Sequence, residues 1–143
     1  VLQAMQFFAT RFKYIFIVTN QRGVGKGLMT EDDLHNIHHH MQKSIELAGG
    51  RLDGIYYCSE LESINRKPNP GMAFQALKDF PDLDLGKSIM VGNSMSDMEF
   101  GRNIGATTIF VTTTNPKVDK TDKNIDAVYE TLASFASALQ SQR

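Results

Sequence analysis

The side chains best suited to chemistry in this sequence come in three short segments, each at the end of an apolar run. These segments are VTNQRGVGKG at 18–27, NRKPNPGM at 65–72 and VGNSMSD at 91–97. Together they contribute a hydroxyl, amides, cations and one carboxylate, which we assign to Thr19, Asn20, Gln21, Arg22, Arg66, Lys67, Asn93 and Asp97. Hydroxyl and backbone N–H groups donate to phosphoryl oxygens, while Lys and Arg neutralise their charge. The combination favours a site for a phosphoryl group.

Each of these features also has an ordinary structural explanation. A threonine after a strand is usually a turn residue, and glycines supply the positive φ angles of turns. The Pro and Asn residues of NRKPNPGM are typical of loops, and Asp97 would also stabilise the dipole of its own helix. The functional interpretation therefore depends on the three segments meeting at one place in the fold.

Alternating strand and helix patterns provide that meeting place. Apolar runs predict strands at 14–18, 54–57, 88–91 and in TTIFVTT at 107–113. Their alternation with helical segments predicts an α/β fold, a Rossmann-like three-layer α/β/α domain with a mainly parallel sheet. Ligands of such folds bind beyond the carboxyl ends of the strands, which is where all three segments lie.

Capping residues predict where the helices begin. The predicted caps are Thr30 with Asp33, Asn69 before Pro70, and Ser96 with Glu99. An apolar stripe predicts an amphipathic C-terminal helix through Val128, Leu132, Phe135 and Leu139.

Composition narrows the class of protein. The 143 residues carry a formal net charge of −1 with no basic run, so we expect no nucleic-acid partner. No apolar stretch has membrane-spanning length and no secretory leader is visible, so we expect no membrane partner and a cytoplasmic location. One cysteine excludes an internal disulfide. We expect a monomer that binds a small phosphorylated metabolite.

Several motifs in order carry a resemblance to a known family. VTNQRGVGKG, LDGIYYC, RKPNPGM and MVGNSMSDMEFGRNIGATTIFV together resemble a phosphatase branch of the haloacid dehalogenase (HAD) superfamily. That branch is the D,D-heptose 1,7-bisphosphate phosphatase and histidinol-phosphatase group. The resemblance implies hydrolysis of phosphomonoesters through an aspartyl-phosphate, assisted by Mg²⁺.

The resemblance also implies residue roles. Thr19 would hydrogen-bond the transferring phosphoryl group, and Lys67 would stabilise its charge. Substrate contacts are implied for Arg66 and for the turn of Asn20, Gln21 and Arg22. The acidic metal-binding motif of the family falls on GNSMSD, which makes Asn93 and Asp97 the candidate Mg²⁺ ligands.

Three departures from the family pattern change these expectations. The DxD loop that holds the family's nucleophile on the first strand is absent, and the DxD at 82–84 precedes a strand instead of following one. Asn93 replaces a metal-binding aspartate, so Mg²⁺ affinity should fall. Cys58 alone cannot build the zinc loop of some relatives, so we expect no zinc. We interpret residues 1–143 as a single HAD-like phosphatase domain, truncated at the amino terminus and lacking the central strand between those ending at Val18 and Val91.

Alternatives remain open at this point. A heptose 1,7-bisphosphate, with removal of the 7-phosphate, is the favoured substrate, and histidinol phosphate is the next. A catalytically inactive phosphate-binding domain is a rival, and a DNA 3′-phosphatase is disfavoured by the lack of a basic surface. The histidines at 35 and 38–40 are interpreted as the solvated face of a helix and not as a metal site.

Overall fold

The structure, a computed structural model, describes residues 1–21, 26–60 and 63–142. Five α-helices of this part of the chain are α1 (Leu2–Arg11), α2 (Glu31–Leu47), α3 (Gly71–Asp79), α4 (Met95–Asn103) and α5 (Leu132–Ser141). The strands are β1 (Phe16–Asn20), β2 (Gly54–Cys58), β3 (Ile89–Gly92), β4 (Thr107–Val111) and β5 (Ala127–Tyr129), and a short 3₁₀ helix spans Leu85–Lys87. Strands and helices alternate along most of the chain, which confirms the α/β fold.

Every strand pairing among the described residues is parallel, but the strands form two separate sheets. One sheet pairs β1 with β2, with Phe16 opposite Gly54 and Asn20 opposite Cys58. The other has the order β3-β4-β5, with Ile89 opposite Thr107. Within the described ranges, neither the edge of β1 away from β2 nor the edge of β3 away from β4 has a ladder partner.

Side-chain packing places the two sheets side by side, with helices on both faces. On one face, Ile17 of β1 and Val91 of β3 join a single core cluster with residues of α1, α2 and α5. On the other face, Val18 and Met90 pack in a cluster with Phe100 of α4. Because successive strand residues point to opposite faces, this alternation defines the three layers. β1 and β3 therefore face each other across the position where the sequence predicts a missing central strand.

One of the three predicted helix starts is confirmed, and two differ from the structure. Thr30 and Asp33 form the predicted capping box at α2. Ser94, not Ser96, caps α4. The N-cap of α3 is Pro70, while the side chain of Asn69 donates to the carbonyl of Ser63 at 2.8 Å.

The C-terminal prediction was wrong in one part. Val128 belongs to β5, where it pairs with Phe110, and the helix begins only at Leu132 behind the cap of Thr131. Val128 matched the helical stripe because it lies four residues before Leu132, a spacing that a short strand followed by a turn also produces.

The DxD at 82–84 lies near the amino-terminal ends of the strands, whereas the predicted site lies at their carboxyl ends. Asp82 bonds Lys13 and the hydroxyl of Tyr14, just before β1 begins, and Asp84 accepts from the backbone N–H of Gly86. As predicted, this DxD forms a turn between a helix and a strand.

Asp126 ties β4 to the residues that precede β5. Its carboxylate accepts two hydrogen bonds of 2.7 Å from the guanidinium of Arg102, and one of 2.8 Å from the backbone N–H of Thr108. The Arg102 guanidinium, helped by that backbone donor, holds the pKa of Asp126 well below its ordinary value.

We expect Asp126→Asn to weaken the acid sensitivity of the fold. A carboxyl whose pKa is lower in the folded state stabilises folding above its unfolded pKa of about 3.9, and this contribution is lost as the pH falls toward the folded pKa. At pH 7 the unfolding free energy of the variant should be about 1 kcal/mol lower than that of the parent, a modest loss because the ion pair is partly exposed. As the pH falls from about 4 to about 2, the unfolding free energy of the variant should decrease less than that of the parent. Urea unfolding across this range measures both effects. Glu99→Gln, at an exposed carboxylate, is the control, and an equal effect there would contradict the assignment.

No helix in the described part of the chain is long and apolar enough to span a membrane.

Candidate active site

The ammonium group of Lys67 lies between the two sheets. Its Nζ donates to the carbonyl oxygen of Val18 in β1 at 3.1 Å and to Oδ1 of Asp97 in α4 at 2.5 Å. The Lys67 side chain is 11% exposed and that of Asp97 is 8% exposed. One cation thus joins the carboxyl end of β1 to the helix that follows β3. The segments that contain Val18 and Asp97 therefore meet at the edge where the sequence places them.

Asn20 holds the turn that carries Lys67. The backbone N–H of Lys67 donates to Oδ1 of Asn20 at 2.9 Å, and Nδ2 of Asn20 donates back to the carbonyl of Lys67 at 3.3 Å. The other end of the turn is held by Gly71, whose N–H donates to the carbonyl of Ile64 at 2.9 Å. A Cβ on Gly71 would come within 2.6 Å of that carbonyl oxygen, so only glycine permits this approach.

Asp97 uses both carboxylate oxygens within the protein. Besides the Lys67 contact, its Oδ2 accepts from the backbone N–H of Asn93 at 3.1 Å, which closes the turn between β3 and α4. The backbone N–H of Asp97 lies 3.4 Å from Oγ of the cap residue Ser94. Asp97 therefore holds both the Asn93 backbone and the Lys67 ammonium.

Asn93 is exposed at the carboxyl end of β3. Its Nδ2 donates to the hydroxyl of Thr114 at 3.0 Å, which leaves Oδ1 as the amide atom turned away from this bond. No sequence signal pointed to Thr114 as a partner, because the two residues are 21 positions apart in different loops.

Thr19, near the end of β1, and Gln21, just after it, lie at the same edge. Nε2 of Gln21 donates to the hydroxyl of Thr19 at 3.1 Å, and the backbone N–H of Gln21 continues the pairing to Cys58 at 2.7 Å. Arg66 is half-buried, and its buried Nη1 has no hydrogen-bond acceptor among residues 1–21, 26–60 and 63–142. Arg22, the remaining predicted site residue, lies outside the described residues.

The histidine run contacts the neighbouring strand. His35 lies 3.2 Å from the hydroxyl of Tyr57 through Nε2, and the ring of His38 lies edge-on against the ring of Tyr57. Tyr57 also donates to Glu31 at 3.0 Å. Burial, and to a lesser extent the charge of His35, lowers the pKa of His38. His35 and His38 therefore hold α2 against β2, while His39 and His40 are exposed.

Residues 64–135, half of the chain, match the model of the HAD-hydrolase-like family, and this range contains both Lys67 and Asp97. Over its full length the chain is also 32% identical to the D-glycero-β-D-manno-heptose-1,7-bisphosphate 7-phosphatase of Salmonella typhi, covering 81% of that protein. The chain belongs to the HAD-like hydrolase family.

Other relatives of this HAD-like hydrolase carry similar names. It is 40% identical over 102 residues to the D-glycero-α-D-manno-heptose-1,7-bisphosphate 7-phosphatase of Burkholderia mallei, an alignment that covers 64% of the chain and 53% of the relative. A protein of the same name from Mycobacterium bovis is 42% identical over 96 residues, which cover 65% of the chain. The chain spans about half the length of these curated relatives.

Solved structures give the same fold. The D,D-heptose 1,7-bisphosphate phosphatase of B. bronchiseptica, complexed with magnesium and phosphate, superposes with a TM-score of 0.86 at 26% identity. This superposition covers 99% of the HAD-like hydrolase and 82% of the solved chain. The Burkholderia thailandensis enzyme, at 22% identity and a TM-score of 0.73, shares the fold over 99% of this chain and 84% of its own.

The described residues of this HAD-like hydrolase do not by themselves form a magnesium site. Mg²⁺ in proteins is usually held by one or two carboxylates together with water and phosphate oxygens. Both oxygens of Asp97 already have partners, and Asn93 offers only a neutral amide oxygen. No group of three or more His, Cys, Asp or Glu residues within these described ranges is placed to hold a metal ion.

We expect Gly92→Ala to disrupt the placement of Lys67. A Cβ at Gly92 would lie 2.6 Å from Cγ of Asp97, so the carboxylate would have to move from its contacts with Lys67 and Asn93. Overpacking of this kind costs about 1–3 kcal/mol, which urea unfolding would measure.

Gly86→Ala is the matched control for this substitution. A Cβ at Gly86 comes no closer than 3.4 Å to another atom, and the residue lies in the 3₁₀ helix before β3. Equal losses of stability in the two variants would contradict the steric argument.

Proposed function

We propose that this chain forms the phosphate-binding part of a phosphomonoesterase acting on a small phosphorylated sugar. The observation that carries the proposal is the largely buried Lys67 ammonium, fixed between Val18 and Asp97 at the carboxyl ends of β1 and β3. An ammonium group has three N–H donors, and these two contacts use two of them. The third is available to a phosphoryl oxygen.

Neighbouring residues would complete the binding of the phosphoryl group. The Thr19 hydroxyl accepts from Gln21 and makes a long contact of 3.4 Å to the carbonyl of Asn20, and it would turn its proton from that carbonyl to a second oxygen. Arg66, which precedes Lys67 in the sequence, would add a second positive charge. We propose that Asn20 and Gln21 act mainly by positioning Lys67 and Thr19, because their side chains are already engaged with these two residues. Arg22 stays a predicted substrate contact.

Magnesium is proposed for the full-length enzyme. HAD phosphatases generally use Mg²⁺, and the B. bronchiseptica structure contains magnesium with phosphate. Bound there, the ion would neutralise phosphoryl charge. Within the described residues, Oδ1 of Asn93 is the site oxygen best placed to contribute a ligand, and Asp97 would act through Lys67 and Asn93. Remaining ligands would have to come from other parts of the full-length protein.

The proposed substrate is D-glycero-D-manno-heptose 1,7-bisphosphate, with loss of the 7-phosphate. Support comes from the names of relatives at 32–42% identity, which include both the α and the β anomer. The test measures kcat/KM of the full-length protein for both anomers and for histidinol phosphate. A preference for histidinol phosphate would contradict the sugar assignment while keeping the phosphatase assignment.

A catalytically inactive phosphate-binding protein is the second candidate, and Asn93 is the residue that favours it. A neutral amide at a metal position weakens the attraction for a divalent cation. If the full-length protein binds the bisphosphate but releases no phosphate from any of these substrates, the second candidate is correct.

A further inference from the structure

The candidate site has an unusual balance of charge. Asp97 is the carboxylate in contact with Lys67, and their charges compensate each other at 2.5 Å. Asn93 is neutral and is bonded to the Thr114 hydroxyl. A phosphate dianion at the Lys67 ammonium would therefore meet no uncompensated carboxylate among these described side chains.

One hydrogen-bond donor and one positive charge, by contrast, are left over. Lys67 keeps one N–H donor after its contacts with Val18 and Asp97. The guanidinium of Arg66 carries a buried Nη1 with no acceptor among the residues that the structure describes. A buried cationic donor without an acceptor is costly, and a nearby anion would offset that cost.

One role of a divalent cation in a phosphate site is to bridge carboxylates and phosphate that would otherwise repel each other. With an aspartate at position 93, a second negative charge would stand at the end of β3, and phosphate would depend on a metal ion to bridge it. With Asn93 this repulsion is removed.

We propose that this chain binds inorganic phosphate at Lys67 and Arg66 without a divalent cation, and that Asn93 is the residue that makes this possible. The inference rests on the proposed function, since it concerns the same phosphate site. It goes beyond that function because it separates phosphate binding, which the chain performs with its own cations, from any metal requirement of turnover.

The test is a titration of the 143-residue chain with inorganic phosphate, followed by ³¹P NMR or calorimetry. One series contains EDTA and the other Mg²⁺, at equal ionic strength. We expect the two dissociation constants to agree within about twofold, because no described carboxylate needs bridging. Phosphate binding that requires Mg²⁺ would overturn the inference and leave the phosphate site intact.

Asn93→Asp should create the metal requirement. Its new carboxylate should weaken phosphate binding in EDTA by about tenfold, the effect of one nearby like charge, and Mg²⁺ should recover most of the loss. Gln140→Glu makes the same charge change on the exposed surface near the end of α5 and should alter neither constant. Asn93→Asp binding that is equal to the parent in both media would also overturn the inference.

Two further variants separate this inference from the proposed function. Arg66→Gln and Lys67→Met should each weaken phosphate binding in both media, with folding checked by circular dichroism. Absence of phosphate binding in both media, or binding that neither variant changes, would contradict the proposed phosphate site itself. Arg66→Gln removes no partner of Asp97, so it remains informative if Lys67→Met fails to fold.

Discussion

Lys67→Met is expected to lower kcat/KM of the proposed full-length phosphatase by about a thousandfold, whereas Arg66→Met should lower it by about tenfold. The ammonium of Lys67 is held by Val18 and Asp97, and its backbone is held by the side chain of Asn20. Its charge is therefore fixed before the substrate arrives. A fixed donor contributes most where charge develops in the transition state, because no reorganisation is needed. Steady-state kinetics on the bisphosphate would measure both losses.

The same substitution should also destabilise the fold, and the two effects can be separated. Removal of Lys67 leaves the Asp97 carboxylate buried without its cation, at a cost of about 3–5 kcal/mol. The double variant Lys67→Met/Asp97→Asn removes both charges and keeps an oxygen that can accept from the Asn93 N–H, so it should recover much of this stability, but none of the activity. Recovery of activity in the double variant, or equal losses for Lys67→Met and Arg66→Met, would contradict the role given to Lys67.

Local sequence signals predicted the parts of the site that depend on neighbouring residues. The β1 segment ends in Thr19, Asn20 and Gln21, and parallel strands must present their carboxyl ends at one edge. The Thr30–Asp33 capping box is likewise a local pattern and is present. From such patterns the α/β fold and the edge that carries the candidate site were both predictable.

The pairing of side chains across that edge was not predictable in the same way. Lys67 and Asp97 are 30 positions apart, and a helix and a strand lie between them. An acidic residue in the first turn of α4 equally suits a helix dipole or a metal site, so its residue type does not reveal its partner. The hydrogen bonds between the Asn20 side chain and the Lys67 backbone could not be predicted for the same reason, since an amide after a strand suits any turn.

The error at the start of α4 has a local cause. Ser94 with Asp97, and Ser96 with Glu99, both fit the pattern of a serine followed three residues later by an acid. The structure uses Ser94, although the carboxylate of Asp97 turns to Lys67 and to the Asn93 backbone instead of completing a capping box. A tertiary contact therefore decides between two local signals of similar strength.

By itself, the 143-residue chain is expected to hydrolyse an aryl phosphate no faster than buffer containing Mg²⁺. Covalent catalysis needs an activated nucleophile, and the described residues of the site do not offer one. The Thr19 hydroxyl accepts a hydrogen bond from the Gln21 amide, which is no base and cannot remove its proton. The Asp97 carboxylate is buried, with both oxygens engaged.

The resemblance to HAD phosphatases places the nucleophile in a DxD loop at the end of a central strand. The edges of β1 and β3 that have no ladder partner among the described residues face each other at that position. Joining a DxD-bearing strand segment upstream of Val1 should therefore give activity that Lys67→Met abolishes. A variant of that segment with both aspartates changed to asparagine is the matched control, because it would occupy the same position between β1 and β3 without the nucleophile. Robust hydrolysis by the bare chain that Lys67→Met removes would contradict this argument, since it would require a nucleophile within residues 1–143. If instead only the DxD form is active, the chain supplies the fixed cation and the added strand supplies the attacking carboxylate, each in contact with the same phosphoryl group.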